Sequence, residues 1–243
     1  MIEVGSASDV GLVRTRQEDR RLHRGTLIAV ADGMGGLSRG DVAAQTAVDY
    51  LSQLNLIEPK TSRARAEIRD AVARANVEIS RSCPRGTMAG TTLAGAVRGQ
   101  ATSRSAWLIF HVGDSRVYEY SEGEVQRLTR DHSLISELVA AGVITPEQAK
   151  YHPQRAVVTR AIGTEAAAYP DFRLVTDTGQ IILACSDGVS DCLEDEEIAR
   201  IIEAGLRDGE DLGEIAHLVV DGALAAGGYD NATVVLARSV ADE

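Results

Sequence analysis

The chain's 243 residues allow one large domain or two small ones, and 44% hydrophobic with 25% charged residues describe a globular protein with a core rather than a disordered one. A net charge of −11 leaves no basic face to meet phosphate backbones, so no nucleic-acid partner is expected. The surplus carboxylates are either solvated surface or hard ligands for divalent cations.

In chain order, Met1-Ile2-Glu3-Val4-Gly5 shows no basic segment followed by an apolar run, so no signal peptide is expected. Ile2 to Asp9 alternates loosely and reads as an edge or sandwich strand. The basic residues Arg14, Arg16, Arg20, Arg21 and Arg24 read as a solvated loop and edge strand, with Arg14 set apart below. Thr26 to Ala31 is an apolar strand ending at the Asp32-Gly33 turn. Asp41 to Leu54 is helical, with Val42, Ala44, Ala47, Val48 and Leu51 as its apolar set. In a second helix, Arg63 to Ser80, the residues Ile68, Val72, Ala75 and Ile79 form one stripe. Thr91 to Val97, Ala106 to Val112, Arg116 to Tyr120 and Val125 to Leu128 read as a meander of short antiparallel strands. Residues 133–163 mix helix and loop around Pro146 and Pro153. Strands at Asp171 to Val175 and Gln180 to Ala184 precede helices at Glu194 to Ala204 and Asp211 to Ala226, and a strand at Ala232 to Arg238 closes the chain.

Helix pairs with one face to bury, set between antiparallel runs, are satisfied outside two packed sheets. The expected fold is therefore α+β, a four-layer αββα sandwich of two antiparallel sheets face to face, in one domain spanning 1–243. No stretch approaches the ~20 apolar residues of a membrane span. Cys83, Cys185 and Cys192 have no metal-site spacing, and Cys185, in an apolar run, reads as a small core residue. A cytoplasmic monomer without a membrane partner is expected.

Four aspartates stand at strand ends or tight turns: Asp32, Asp114, Asp187 and Asp230. Each alone is explained as a turn residue, since Asp-Gly and Asp-Asn are favoured there. Asp32, Asp187 and Asp230, however, border segments that read as central strands, and carboxylates converging there repel unless cations neutralise them. Two divalent ions sharing an aspartate meet that need and activate a water for attack on phosphorus. No His or Cys completes the set, which favours Mg²⁺ or Mn²⁺ over zinc. Arg14, four residues before Glu18-Asp19, is either one more charge in a basic loop or a bidentate fork for a phosphate.

The order of the motifs resembles the PPM (type 2C) family of serine/threonine phosphatases, in its bacterial stand-alone branch. The likeness runs from Gly11-Leu12-Val13-Arg14-Thr15-Arg16-Gln17-Glu18-Asp19 and Asp32-Gly33-Met34-Gly35-Gly36 through Gly90-Thr91-Thr92-Leu93, Gly113-Asp114-Ser115-Arg116 and Leu128-Thr129-Arg130-Asp131-His132-Ser133. It continues with His152-Pro153, Thr159-Arg160-Ala161-Ile162-Gly163, Ser186-Asp187-Gly188 and Asp230-Asn231-Ala232-Thr233. The resemblance implies hydrolysis of phosphoserine and phosphothreonine in proteins by a metal-activated water. It implies that Asp32 bridges two Mn²⁺ or Mg²⁺ ions, that the Gly33 carbonyl binds one, and that Asp187 and Asp230 complete the second. Asp114, with Asp187, matches a weaker third site. Glu18 and Asp19 would hold metal-bound waters, Arg14 the substrate phosphate, and residues 133–163 would form a flap beside the active site. Gln17 replaces the usual Asn, and Met34 stands where animal relatives carry a His proposed as general acid, which leaves His132 and His152 as donors or structural residues. The implied partners are a serine/threonine kinase and its targets, with forkhead-associated proteins among them. Two other readings are an inactive phosphoprotein-binding pseudophosphatase, set against by the full ligand set, and a partner-switching regulator phosphatase, for whose usual sensor domain the chain has no room.

Overall fold

A computed structural model describes residues 1–35, 39–82, 89–164 and 168–240. Its strands are β1 (Ile2–Asp9), β2 (Arg20–Arg24), β3 (Leu27–Ala31), β4 (Gly33–Met34), β5 (Gly90–Thr91), β6 (Leu93–Ala101), β7 (Arg104–Val112), β8 (Arg116–Ser121), β9 (Glu124–Arg127), β10 (Asp171–Thr176), β11 (Ile181–Cys185) and β12 (Ala232–Ser239). The helices are α1 (Gly40–Ser52), α2 (Thr61–Ser82), α3 (Leu134–Ala140), α4 (Pro146–Lys150), α5 (Asp187–Ser190), α6 (Asp195–Asp208) and α7 (Leu212–Ala225).

Two five-stranded antiparallel sheets, ordered β1-β12-β11-β8-β9 and β10-β7-β6-β3-β2, carry the fold. Between them Ile28, Val30, Trp107, Ile109, Ile182 and Val235 form a shared core. On β3 the alternate residues Leu27, Ala29 and Ala31 face the opposite way and pack with Leu51, Ile68 and Val72 of α1 and α2. On β11, likewise, Leu183 and Cys185 meet Ile202, Ile215 and Val219 of α6 and α7. A strand buried on both faces has no polar side to show, which is why these two read as unbroken apolar runs. The αββα layering is thus present.

Helix boundaries follow local chemistry. Asp211 caps α7 by accepting from the Gly213 and Glu214 N–H groups at 2.7 and 2.9 Å, and α6 ends at Gly209, whose φ of 82° suits a left-handed C-terminal residue. The stripe Ile68, Val72, Ala75 and Ile79 is buried along α2 as its spacing indicates. On α1 one expected member fails. Val42 is 44% exposed and Ala43 takes the buried position, because the helix packs its small residues closest to the β4 corner.

The meander needs a larger correction. β6 pairs with β7 and β8 with β9, but β7 and β8 lie in different sheets. Gly113-Asp114-Ser115 is therefore a crossover between the layers and not a hairpin turn. The basic segment ends in β2, the outer strand of the second sheet, where an edge strand was expected. Cys185 is buried in the core; Cys83 and Gly36 lie outside the described residues.

Residues 133–163 hold α3 and α4, neither with a buried residue. Ser133 and Thr145 cap them, and Pro146 opens α4 where its missing N–H costs nothing. The two ends of the segment meet. Ser133 pairs with Val158, and the Thr159 N–H donates to the His132 carbonyl at 2.8 Å.

Candidate active site

Strand ends from both sheets converge on one open cleft of about 570 Å³. Asp32 follows β3, Asp187 follows β11, Asp230 precedes β12, and Asp114 sits in the β7–β8 crossover; all four line the cleft, with Gly33 and Met34 beside Asp32. Arg14, Arg16 and Glu18 line it from the β1–β2 loop, and Ala156 and Val158 from the 133–163 segment. Asp19 is 3% exposed and lies behind the cleft, accepting from Ser186 Oγ at 2.7 Å.

Two close backbone approaches make this convergence possible. A Cβ on Gly33 would stand 2.2 Å from the Gly40 carbonyl oxygen, and one on Gly188 would stand 2.1 Å from the Asn231 carbonyl oxygen. Only glycine lets α1 press against the Asp32 turn and α5 against the start of β12. Asn231 then ties down the β1–β2 loop. Its Nδ2 donates to the Val10 and Arg16 carbonyls at 2.9 Å each, and its Oδ1 accepts from the Glu18 N–H at 2.8 Å. Gln17, the departure from the family pattern, keeps amide work. It donates to Ser8 Oγ and the Asp9 carbonyl and accepts from the Asp19 N–H.

The electrostatics are those of an overcharged floor. Burial, and after it Asp187 and Asp19, raise the Asp32 carboxyl well above the ordinary range. Burial also pushes Asp114 and Asp19 up to about 7 and Asp187 up to about 6. The buried Oδ1 atoms of Asp187 and Asp19 have no hydrogen-bond partner. Arg14 is 56% exposed and donates to Asp230 Oδ2 at 2.6 Å. Oxygen donors crowded at one point, two of them unsatisfied, fit hard divalent cations.

Asp191, Asn231, Arg16 and Arg20 bear on this site in ways their sequence positions do not announce. Asp191, exposed and outside the cleft lining, stands one helical turn beyond Asp187; its carboxyl is raised, by partial loss of water first and by Asp131 and Asp230 after it, against the pull of Arg116 and Arg155. Asn231, in the Asp230-Asn231 motif, owes its role to the three hydrogen bonds that tie the β1–β2 loop. Arg16 was assigned to solvent, yet it lines the cleft, and Arg20 donates to the Gln17 and Asp19 carbonyls rather than standing free.

Neither His132 nor His152 is among the residues lining the cleft. His132 is buried at the root of the 133–163 segment, where Nδ1 accepts from the Gly113 N–H at 3.0 Å and Nε2 donates to Asp171 at 3.1 Å. His111 stacks on it at 4.5 Å and bonds the Arg130 carbonyl through Nε2. Three potential metal-ligand side chains, His111, His132 and Asp171, thus lie together, but these bonds and Arg160, 2.9 Å from Asp171, already occupy them.

A family model described as Protein phosphatase 2C matches residues 17–213. The chain belongs to the protein phosphatase 2C family. It is 35% identical over 248 residues to the serine/threonine protein phosphatase PstP of Mycobacterium tuberculosis, matching 99% of this chain and 45% of that protein. It is thus similar to rather less than half the length of that relative. With protein phosphatase PhpP of Streptococcus pneumoniae it shares 32% identity over 249 residues, covering 97% of this chain and 96% of that one. Among solved structures, the catalytic domain of serine threonine protein phosphatase PstP in complex with two manganese ions superposes with a TM-score of 0.80 at 31% identity, covering 99% of both chains. The αββα arrangement of this chain is therefore that of the protein phosphatase 2C fold.

Proposed function

We propose that this chain hydrolyses phosphoserine and phosphothreonine esters in proteins, reversing a serine/threonine kinase, with residues 1–243 acting as one catalytic domain and 133–163 as its flap. The observation that carries this reading is the convergence of Asp32, Asp114, Asp187 and Asp230 on one open cleft with Arg14 at its rim. The similarity to PstP and PhpP, both protein phosphatases, supports a protein substrate.

Asp32, the Gly33 carbonyl, Asp187 and Asp230 would hold two Mn²⁺ or Mg²⁺ ions, and Asp114 with Asp187 a weaker third. The two manganese ions in the solved PstP catalytic domain support the pair. Bound there, the ions supply a water acidic enough to attack phosphorus near neutral pH and offset the charge of the phosphate. The remaining work belongs to the chain. Arg14 presents a planar fork at the rim, so the substrate phosphate competes with Asp230 for it. Asp19 accepts a hydrogen bond from the Ser186 hydroxyl and so steadies the turn that presents Asp187. Glu18 lines the cleft, where its carboxylate would accept hydrogen bonds from metal-bound water. Chain flanking the phosphoresidue lies between the Arg14–Arg16 loop and the wall made by Ala156 and Val158.

A cytoplasmic monomer acting on a kinase and its targets, forkhead-associated proteins included, is part of the same proposal. Among the described residues no helix is long and apolar enough to cross a membrane. The test is release of phosphate from phosphothreonine and phosphotyrosine peptides in Mn²⁺ and in EDTA. Hydrolysis of the first alone, and only with metal, is expected; binding of the peptide without turnover in Mn²⁺ would favour the pseudophosphatase.

A further inference from the structure

Two carboxylates of the cleft, Asp32 and Asp114, come from different loops, and one buried side chain bonds the backbone of the first and the hydroxyl of Ser115 beside the second. Thr92 is 1% exposed. Its Oγ1 accepts from the Asp32 N–H at 3.1 Å, and its own N–H donates to the Asp32 carbonyl at 2.9 Å. Thr92 therefore bonds both polar backbone groups of Asp32, whose carbonyl also accepts from Thr91 Oγ1 at 2.9 Å. The same Oγ1 lies 2.5 Å from the hydroxyl of Ser115, which is fully buried and adjacent to Asp114. The Thr92 methyl and Cβ press under Gly113, where a side chain would come within 2.7 Å of them and where φ is +100°. The result is an unbroken line from the Asp32 N–H through two hydroxyls to the Asp114 loop, whose links join residues 60 and 23 positions apart in the chain.

We propose that Thr92 is a positioning residue that sets the separation of Asp32 and Asp114, acting on Asp32 directly and on Asp114 through Ser115. It touches no substrate atom. Each hydroxyl has one proton and two lone pairs, so this buried chain is directional and its members strengthen one another. The inference rests on the proposed reading that Asp32 serves a tight pair of ions and Asp114 a weaker third. Its signature is a graded uncoupling of the two classes of metal site. Ser115→Ala cuts only the link toward Asp114. Thr92→Val keeps the shape under Gly113 but removes both links and leaves the Asp32 N–H without an acceptor. Thr92→Ser restores the hydroxyl.

The experiment is calorimetric titration of the whole chain with Mn²⁺, with Mn²⁺-dependent turnover and thermal melting beside it, on these variants and Asp114→Asn. In Ser115→Ala the weak phase should lose about fivefold in affinity, the worth of one hydrogen bond, with the tight phase unmoved. Thr92→Val should weaken both phases, and Thr92→Ser should return the tight phase to that of the parent. If Asp114→Asn abolishes the weak phase while Ser115→Ala and Thr92→Val leave both phases as they were, the positioning role is overturned and the third-ion reading stands. A weak phase that survives Asp114→Asn removes the third ion and this inference with it. Equal weakening of both phases by all three variants, in proportion to lost melting temperature, marks a structural residue only and also overturns it.

Discussion

The Asp32 backbone is held by Thr92 at the end of β3, and Asp230 Oδ1 accepts from the Asn231 N–H at 2.8 Å, a bond that an asparagine in its place can keep. Asp32→Asn and Asp230→Asn should therefore fold, yet lose about 10²–10³ in kcat as transition-state charge goes uncompensated. Near-parental turnover of either variant at saturating Mn²⁺ would take it out of the ligand set. Arg14→Ala should raise KM for a phosphopeptide, with a loss of about 1.5–3 kcal/mol for a charge-assisted bond. Arg16 is a poor control because it too lines the cleft; Arg21, exposed on β2, is the right one. Equal effects at Arg14 and Arg21 would return Arg14 to surface charge. At this scale the aspartates were legible because turn pairs after apolar runs mark strand ends. Arg16 was not, since a loop has no period from which to read direction, and Asp191 was not, since its place depends on a helix of only four residues.

Elements show a different limit. Hydrophobic pattern located β6 to β9, though it merged β5 with β6, and it could not tell which sheet each joins. Val112 and Val117, on either side of the β7–β8 crossover, are both fully buried, so no polar face distinguishes a corner from a hairpin. That distinction decides Asp114, which lies in the crossover because the chain changes layers there. The β1–β2 loop illustrates the reverse case, an irregular segment made precise by one side chain. Asn231→Ala removes three hydrogen bonds and strands the Glu18 N–H, the Val10 carbonyl and the Arg16 carbonyl. KM for phosphopeptide should rise and the melting temperature fall by several degrees, with about 1–3 kcal/mol lost if these groups stay dry. An unchanged KM would mean that the loop holds Arg14 without Asn231.

Over the whole molecule the acidic floor sets a pH dependence whose sign is unusual. Burial raises Asp19, Asp114 and Asp187 to between about 6 and about 7, so from about pH 4 to about pH 7 the folded chain binds more protons than the unfolded one. Their contribution to stability is complete below the ordinary carboxylate value and is lost as pH rises through the folded values. Asp171 and Asp177 act oppositely and lower down. Burial notwithstanding, His132 and Arg160 hold the first low and Arg98 and Ser239 the second, so they lose stabilising charge only as pH falls below about 4. In chelator, melting temperature should therefore fall between pH 5 and pH 7.5, and Mn²⁺ should abolish or invert that slope because it favours the ionised carboxylates. A flat profile in EDTA would mean that the floor is not strained. The most direct measurement is phosphate release from a phosphothreonine peptide by chelator-treated protein as Mn²⁺ is restored. Turnover should be absent in EDTA and return with metal, with no phosphate trapped on the chain; undiminished turnover in excess chelator, or a phosphorylated protein intermediate, would contradict hydrolysis at this acidic cleft.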